Sequence, residues 1–340
     1  MDEPALIIDV SVCIPNYNGL AVLRECLDAV LAQESDQRLE VLVYDDGSTD
    51  DSVAVVTAEY PGVRLLSDAQ NRGFSHACNS LAAAATGRYL LFLNNDAFLE
   101  PGALAALCRA AQETPRALLS LRQIDAENGE LLDLGMGLDL LTVPYPLYDT
   151  PSPHLATLIG ACLWVPAELF AEAGGFPAWF GSIAEDLYLC QFARLRGRTL
   201  HLVDGPAYRH HSGWSFGGGK ADRAGQATSY RRRFLSERNR ACVFLIFFPW
   251  YAVLLLLPLW LLSWALECLL LCLGRLSLQP ATRIYGPALA GVIALRGDIA
   301  DSRRRVQAMR KISFREFLAP FRWLPSKLRF FWEHGLPRLG

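Results

Sequence analysis

The sequence predicts an α/β protein with a mostly parallel sheet flanked by helices, followed by a helical, membrane-associated region. Two observations predict the sheet: short apolar runs alternate with segments of helical periodicity, and each run ends in a polar cluster. A third observation predicts the membrane-associated region, because the chain becomes almost entirely apolar after about residue 240. We therefore predict two domains, residues 1–235 and residues 236–340.

The first part of the chain alternates strand and helix. The predicted strands cover residues 10–14, 39–44, 63–66 and 89–93, and the predicted helices cover about 20–33, a segment capped by Ser48 or Thr49 and ending near 59, and about 75–85. This alternation is typical of parallel strands joined by right-handed crossovers. The run of four apolar residues over 90–93 favours a central strand that is covered on both faces.

Later elements are more varied. The pattern predicts a helix to about residue 112, a hairpin at Asn128-Gly129, a Pro-rich loop over 142–155, a strand over 158–165, a helix from about Glu185, a strand over 199–203 and a loop over 208–215.

Residues 241–273 are apolar apart from Ser263 and Glu267. A straight helix of that length would span about 50 Å, more than the roughly 30 Å of bilayer hydrocarbon. Division at Pro258 leaves two halves that are short for a full crossing, and arginines flank both ends of the run. We expect a re-entrant or interfacial helical hairpin with both ends in the cytoplasm. The alternative is a soluble helical subdomain with proline kinks.

The distribution of charge and the cysteines indicate the kind of partner and the cellular compartment. Residues 296–340 carry eleven Lys and Arg residues against four acids, while the whole chain has a net charge of −3. A basic tail predicts an anionic partner, and its Phe and Trp residues favour a membrane surface; no nucleic-acid module accompanies it, so we expect no nucleic acid. The nine cysteines form no Cys-x-x-Cys pair, and the N-terminus is acidic, which favours a reducing cytoplasm.

Polar clusters follow the carboxyl ends of the first four predicted strands. In a parallel sheet these ends lie along one edge, where open α/β sheets bind their ligands. Each cluster alone also fits a turn or a helix cap, but four at successive strand ends predict a binding site. The clusters are Pro15-Asn16-Tyr17-Asn18, Asp45-Asp46, Asn71-Arg72-Gly73 and Asn94-Asn95-Asp96.

Together with Glu185-Asp186, these clusters resemble the family 2 glycosyltransferases of the GT-A (Rossmann-like) fold over about residues 8–235, and most of all bacterial rhamnosyltransferase-like members. The resemblance implies inverting transfer of a hexosyl or rhamnosyl group from a dTDP-, UDP- or GDP-linked donor. It implies a hydroxyl acceptor on a polysaccharide or a polyprenyl-linked glycan in cell-envelope synthesis. It also implies work at the cytoplasmic face of the bacterial inner membrane, with residues 241–340 on the membrane.

The resemblance also implies residue roles. Asp186 would be the general base, with Glu185 beside it and Trp179 and Phe180 stacking on the acceptor. Asp96 would bind Mg²⁺ or Mn²⁺, together with His210, which lies five residues before Ser215, or else His211. The donor nucleotide would contact Pro15, Asn16, Tyr17, Asn18, Asp45, Asp46, Asn71, Arg72, Gly73, Asn94 and Asn95.

Several of these residues also have an ordinary structural interpretation. Tyr17 suits core packing, and Glu185-Asp186 suits the positive end of a helix dipole. Family members commonly have Asp where this chain has Asn94, so the resemblance implies a weaker cation site here.

Two other functions fit parts of the pattern. A metal-dependent nucleotidyltransferase would carry a Gly-rich, basic phosphate loop after the first strand, and residues 15–18 have no basic residue. A catalytically inactive membrane-associated scaffold of the same fold would have no need to keep Asp46, Asp96 and Asp186.

Overall fold

The structure is a computed structural model that describes residues 9–149, 152–211, 218–222, 225–335 and 338–339. Residues 9–93 confirm the predicted alternation of strand and helix. The elements are β1 (Val10–Asn16), α1 (Leu20–Leu31), β2 (Leu39–Asp46), α2 (Ser52–Glu59), β3 (Arg64–Asp68), α3 (Phe74–Ala84) and β4 (Tyr89–Leu93). The start of α2 differs from the prediction. This helix begins after Asp51, and no side chain caps it. Ser48 instead turns its hydroxyl towards Asp45, so the predicted cap by Ser48 or Thr49 is wrong.

The middle of the chain adds short strands. The elements are β5 (Ala97–Leu99), α4 (Ala103–Glu113), β6 (Leu118–Asp125), β7 (Leu131–Asp133), β8 (Met136–Leu138), β9 (Pro144–Pro146), β10 (Cys162–Pro166), α5 (Ala167–Ala173), a 3-10 turn (Ala178–Phe180), α6 (Glu185–Leu195) and β11 (Leu200–His210). The hairpin at Asn128-Gly129 is confirmed by the antiparallel pairing of β6 with β7. The predicted loop over 142–155 contains β9, and β11 continues to His210 where a loop was predicted, because it pairs with both β5 and β6.

Nine of the described strands form one sheet in the order β3-β2-β1-β4-β10-β6-β11-β5, with β7 beside β6, and β8 pairs separately with β9. The strands β1 to β4 are parallel, as predicted. The second half is mixed, since β10 runs antiparallel to β4 and β6. The polar ends of β1, β2 and β4 consequently meet at one edge of the sheet.

Strand β4 is covered on both faces, which explains its unbroken apolar sequence. Leu90 and Phe92 belong to the hydrophobic core on one side of the sheet, and Leu91 and Leu93 belong to the core on the other side. All four are almost completely buried. Asn94 therefore follows a strand whose position is fixed on both faces.

The rest of the described chain is mostly helical. The elements are β12 (Gly218–Asp222), β13 (Gly225–Thr228), α7 (Tyr230–Phe247), α8 (Trp250–Arg275), a π-helical turn (Ala281–Tyr285), α9 (Gly286–Ala294), α10 (Arg296–Ala308), α11 (Phe314–Leu318), α12 (Ser326–His334) and β14 (Arg338–Leu339).

The apolar run over 241–273 divides at Pro249, and the prediction of a hairpin cut at Pro258 is wrong. Residues 241–247 form the buried end of α7 and belong to the core that packs on the sheet. Helix α8 is continuous through Pro258. Its 26 residues correspond to about 39 Å. Among the described residues it is the one helix long and apolar enough to cross a membrane by length and composition.

Helix α7 also passes through the predicted domain boundary. Residues 235 and 236 lie inside it, and Phe244 shares a single hydrophobic core with Tyr188 of α6 and Trp260 of α8. The helical region is thus packed directly on the sheet domain and on the start of α6.

Candidate active site

A single cavity of about 1960 Å³ opens at the carboxyl edge of the sheet. Its walls come from the ends of β1, β2 and β4, from the segment before α3, from the start of α6, and from α7, α8 and α12. Most of the predicted site residues line it, namely Pro15, Asn16, Tyr17, Asp46, Asn71, Arg72, Gly73, Asn94, Asn95, Asp96, Glu185, Asp186 and His210. The fold therefore brings together residues that lie as far apart as 15 and 210 in the sequence.

Asn16 joins the ends of three neighbouring strands. Its side-chain amide donates to Asp45 Oδ2 at 3.0 Å, and its side-chain oxygen accepts from Asn95 Nδ2 at 2.8 Å. Next to it, the Tyr17 side chain is 49% exposed, so Tyr17 is a surface of the cavity and the alternative of core packing is wrong. The cavity edge is rigid at Asn16 and offers an aromatic face at Tyr17.

Asp46 fixes the segment before α3. Its Oδ1 accepts the backbone N–H of Arg72 at 2.8 Å, and its Oδ2 accepts the backbone N–H of Gly73 at 2.8 Å. Gly73 has φ of 96°, and a Cβ there would lie 2.9 Å from Gly181 O, so glycine is required on two counts. Arg72 itself is exposed, and its guanidinium lies 3.3 Å from Asp68.

Asp45 and Asn18 lie outside the cavity lining, although the sequence placed them at the nucleotide. Asp45 accepts hydrogen bonds from the Ser48 backbone N–H at 2.9 Å and from its hydroxyl at 2.6 Å. Asn18 accepts from the Thr49 backbone N–H at 2.7 Å. Asp45 and Asn18 thus connect the loop after β1 with the loop after β2. They stabilise the cavity wall without lining the cavity.

Several side-chain oxygen and nitrogen atoms lie close together near the end of β4. His210 Nε2 lies 3.1 Å from Asp96 Oδ1, and both side chains are buried. Gln123 Nε2 lies 3.1 Å from the other ring nitrogen of His210. The side-chain oxygen of Asn94 is buried and has no hydrogen-bond partner in the described part of the chain.

His210, and not His211, faces Asp96. His211 donates its backbone N–H to Asp96 O, and its ring meets the ring of Phe98 edge to face at 5.4 Å between centroids. The two histidines thus have different neighbours because β11 alternates its side chains between the two faces of the sheet. Ser215, which set the predicted spacing, lies outside the described residues.

Glu185 and Asp186 open α6 after two residues in the left-handed region, Ile183 with φ of 71° and Ala184 with φ of 70°. Non-glycine residues adopt this conformation at a cost, and such strain is often found beside functional sites. Asp186 Oδ2 accepts the Gly160 backbone N–H at 2.9 Å, and Oδ1 accepts that of Leu187 at 2.6 Å. These contacts aim one rigidly held carboxylate at the cavity.

Both carboxyl groups have raised pKa values. Burial, reinforced by the charge of Asp186, raises the pKa of Glu185 to about 8. Burial also raises the pKa of Asp186, while the two backbone hydrogen bonds lower it. Oε2 of Glu185 is buried without a partner among the described residues. A desolvated carboxylate with a raised pKa is suited to accepting a proton near neutral pH.

Some residues differ from their predicted roles or went unnoticed. Trp179 and Phe180 both lie along the cavity, but the Phe180 side chain is fully buried against Tyr188, so it cannot stack on a ligand as predicted. Arg231 and Arg232 also line the cavity, and the charge of Arg232 acts on Glu185 and Asp186. In the sequence these arginines belong to a basic run before an apolar stretch. That pattern is equally typical of a segment that flanks a membrane helix.

Comparison with known proteins agrees with this geometry. Residues 11–154 match the family described as glycosyl transferase family 2. This part of the chain is a family 2 glycosyltransferase domain. The match covers the polar ends of β1, β2 and β4, which form part of the cavity wall, and it stops before α6.

Several known proteins are similar to part of this chain. The Escherichia coli chondroitin synthase is 38% identical over 98 residues, which is 28% of this chain and 14% of that one. The Rhizobium meliloti succinoglycan biosynthesis protein ExoO is 34% identical over 114 residues, which is 33% of this chain and 32% of that one. This chain matches about a third or less of the length of these relatives.

Solved structures share the GT-A fold. GalNAc-T7, solved with UDP, GalNAc and Mn²⁺, has a TM-score of 0.66 at 15% identity, covering 98% of this chain and 59% of that one. S. aureus TarS 1-349 has a TM-score of 0.51 at 19% identity, covering 70% of this chain and 66% of that one. The fold predicted from the sequence is confirmed.

Proposed function

We propose that this protein is an inverting glycosyltransferase that moves a sugar from a nucleotide diphosphate donor to a hydroxyl of a lipid-linked or polysaccharide acceptor in cell-envelope glycan synthesis. One observation carries the proposal: a single cavity holds both the polar strand ends of the family 2 domain and the desolvated carboxylate of Asp186. Transfer needs both groups, since the donor must be oriented and the acceptor hydroxyl must lose its proton.

The donor lies at the carboxyl edge of β1, β2 and β4. Tyr17 offers a face for the base, and the segment that Asp46 holds presents the Arg72 side chain to the diphosphate. A UDP-sugar is the first donor to test, because TarS was solved with UDP and with UDP-GlcNAc. The dTDP- and GDP-linked sugars follow.

The residues at the end of β4 fit a divalent cation. Asp96 supplies a carboxylate oxygen, Asn94 supplies a buried amide oxygen that has no other partner among the described residues, and His210 supplies an imidazole nitrogen. Oxygen donors with one imidazole suit Mn²⁺ and also Mg²⁺. A bound cation would neutralise the diphosphate that leaves.

Asp186 removes the proton from the acceptor hydroxyl. The hydroxyl oxygen attacks the anomeric carbon from the face opposite the diphosphate, the bond from that carbon to the diphosphate oxygen breaks, and the configuration inverts. The proton passes to the Asp186 carboxylate, whose raised pKa favours this transfer. Its two hydrogen bonds with backbone N–H groups keep it oriented during the step.

The helical region holds this site at the cytoplasmic face of a bacterial inner membrane. Helix α8 leaves large apolar side chains exposed along most of its length, and such a surface is costly in water. Residues 1–235 would carry the transfer chemistry, and residues 236–340 would provide the membrane contact.

The test is turnover. Purified protein is incubated with UDP-, GDP- and dTDP-sugars, Mn²⁺ or Mg²⁺, and bacterial membrane lipid as acceptor. We expect transfer, or slow donor hydrolysis, with at least one donor, and product of inverted anomeric configuration. Absence of both reactions with every donor, at protein concentrations that bind nucleotide, would contradict the proposal.

A further inference from the structure

The cavity continues past Asp186 into a long apolar trough between α8 and α12, here called the α8–α12 groove. Its α8 wall consists of residues three or four positions apart, which share one helix face: Leu256, Leu259, Leu262, Leu266 and Leu270. The opposite wall carries Leu328, Phe331 and Trp332 of α12. The α8 wall extends for about 20 Å, given the rise of an α-helix.

The groove is open although its walls are apolar. On α8, Leu259, Leu262 and Leu266 are 55%, 54% and 52% exposed, and on α12 Trp332 is 85% exposed. Exposed apolar patches of this size mark binding surfaces in most folded proteins. The helix packs on the rest of the protein mainly through another face, which buries Trp260 and Trp264, so most of the groove face stays exposed.

A buried ion-pair cluster fixes the two walls. Lys327 of α12 lies 3.0 Å from Glu237 of α7, and it also pairs with Glu267 of α8. Arg233 of α7 pairs with the same two carboxylates. Helices α7, α8 and α12 are therefore joined at one point, and the groove is a formed feature with a fixed inner end.

Two arginines of α7 lie in the cavity that holds both the groove and the Asp186 carboxylate. Arg231 and Arg232 of α7 line the cavity, and Arg232 interacts through its charge with Glu185 and Asp186. The charge of Arg232 reaches Asp186, while the next residue, Arg233, reaches α8 through Glu267. Arg231 and Arg232 therefore line the same cavity as Asp186 and the α8–α12 groove.

We propose that the acceptor is an isoprenoid lipid carrying its sugar through a phosphate or diphosphate. The isoprenoid chain lies in the α8–α12 groove, the anionic linkage lies against Arg231 and Arg232, and the sugar hydroxyl reaches Asp186. Charge complementarity and the presence of an apolar groove, two cations and the base in one cavity select this occupant, since a soluble polysaccharide has no apolar part to fill the groove. The inference rests on the proposed function and decides between its two acceptor classes.

The test measures binding of radiolabelled polyprenyl diphosphate to the full chain in detergent, without any donor. We expect saturable binding that unlabelled polyprenyl diphosphate displaces. Neutral polyprenol or inorganic diphosphate should displace it only at concentrations about tenfold or more higher, since each supplies only half of the recognition.

Variants locate the site. Leu266→Gln should weaken binding about tenfold, because it removes one apolar wall contact. Leu31→Gln is the matched control, since Leu31 on α1 is equally exposed at 52% but lies outside the cavity. The double change of Arg231→Gln and Arg232→Gln should weaken binding of the diphosphate and leave binding of polyprenol unchanged. Equal affinity for Leu266→Gln and Leu31→Gln, or equal displacement by polyprenol and polyprenyl diphosphate, would overturn the inference.

Donor turnover separates the two proposals. Donor hydrolysis without lipid binding would sink the lipid acceptor and leave the glycosyltransferase standing. Lipid binding that Leu266→Gln weakens, without turnover of any donor, would contradict the glycosyltransferase proposal. It would still support a lipid-binding site in the α8–α12 groove. A water-soluble glycan that accepts sugar faster than the lipid-linked glycan would also overturn the inference.

Discussion

Asp46 Oδ2 accepts a 2.8 Å hydrogen bond from the backbone N–H of Gly73, and this contact determines the shape of the donor side of the cavity. The other carboxylate oxygen accepts the N–H of Arg72. Asp46→Asn keeps one acceptor oxygen and introduces an N–H group that faces a donor. We expect UDP affinity to fall about tenfold, measured by calorimetry, because the segment before α3 loses a charge-assisted hydrogen bond.

The matched control is Asp51→Asn, because Asp51 is exposed and makes no side-chain cap to α2. Its UDP affinity should equal that of the unchanged protein. An Asp46→Asn protein with the same UDP affinity as the control would show that the Asp46 contacts do not shape the donor site.

Glu185 makes the stability of the fold dependent on pH. Its pKa is raised to about 8 in the folded state from an ordinary value of 4.5, so the folded state binds the proton more tightly than the unfolded chain does. The stabilisation from this proton is complete below about pH 4.5 and is lost as the pH rises through about 8. Glu185→Gln removes that dependence.

The free energy of unfolding of Glu185→Gln should therefore rise relative to that of the unchanged protein between about pH 5 and about pH 9, by on the order of 1 kcal/mol or more. Urea unfolding at both pH values measures it. If the difference in free energy of unfolding between Glu185→Gln and the unchanged protein is the same at both pH values, Glu185 is not buried and protonated as described.

Asn94 offers a direct test of the cation site. Its buried side-chain oxygen points to no described partner, so an aspartate there would add a charged oxygen ligand beside Asp96. We expect Asn94→Asp to lower the Mn²⁺ concentration needed for half-maximal activity, and to increase the rise in Tm that Mn²⁺ produces. Asn128→Asp in the exposed β6–β7 turn is the control. Identical Mn²⁺ effects on Tm in both variants would place the cation elsewhere.

Membrane attachment by α8 depends on the face that neither packs on the protein nor lines the groove. Leu254 and Leu261 lie there, 65% and 43% exposed. Replacing both with Glu should reduce co-sedimentation with phospholipid vesicles, because charges are costly in the apolar part of a bilayer. The control places Glu at Leu31, on a distant surface. Equal co-sedimentation of the two proteins would rule out this face of α8.

The sequence predicted the first half of the fold and most of the site, because both depend on local patterns. The run over 90–93 and its polar end need no tertiary information, since a strand buried on both faces must be apolar throughout. Glu185 and Asp186 open α6, where the sequence predicted the start of a helix, although their raised pKa values come from burial that periodicity does not reveal.

Other features depended on long-range packing. Residues 241–247 are as apolar as α8, and only their contact with the sheet core assigns them to α7 rather than to a hairpin with α8. Asp45 and Asp46 are adjacent in sequence, yet only Asp46 lines the cavity, because successive side chains of a strand point in opposite directions. Arg232 gained its position from the helix that passes through the predicted domain boundary.

The most direct test of the central claim is the rate of sugar transfer by Asp186→Asn beside its affinity for UDP. We expect a rate at least about a hundredfold lower, because the base is lost. The dissociation constant for UDP should be unchanged, because the hydrogen bonds of the Asp186 carboxylate are with Gly160 and Leu187. Asp186→Asn protein that transfers sugar at the original rate, under conditions where both proteins are saturated with donor, would contradict the central claim.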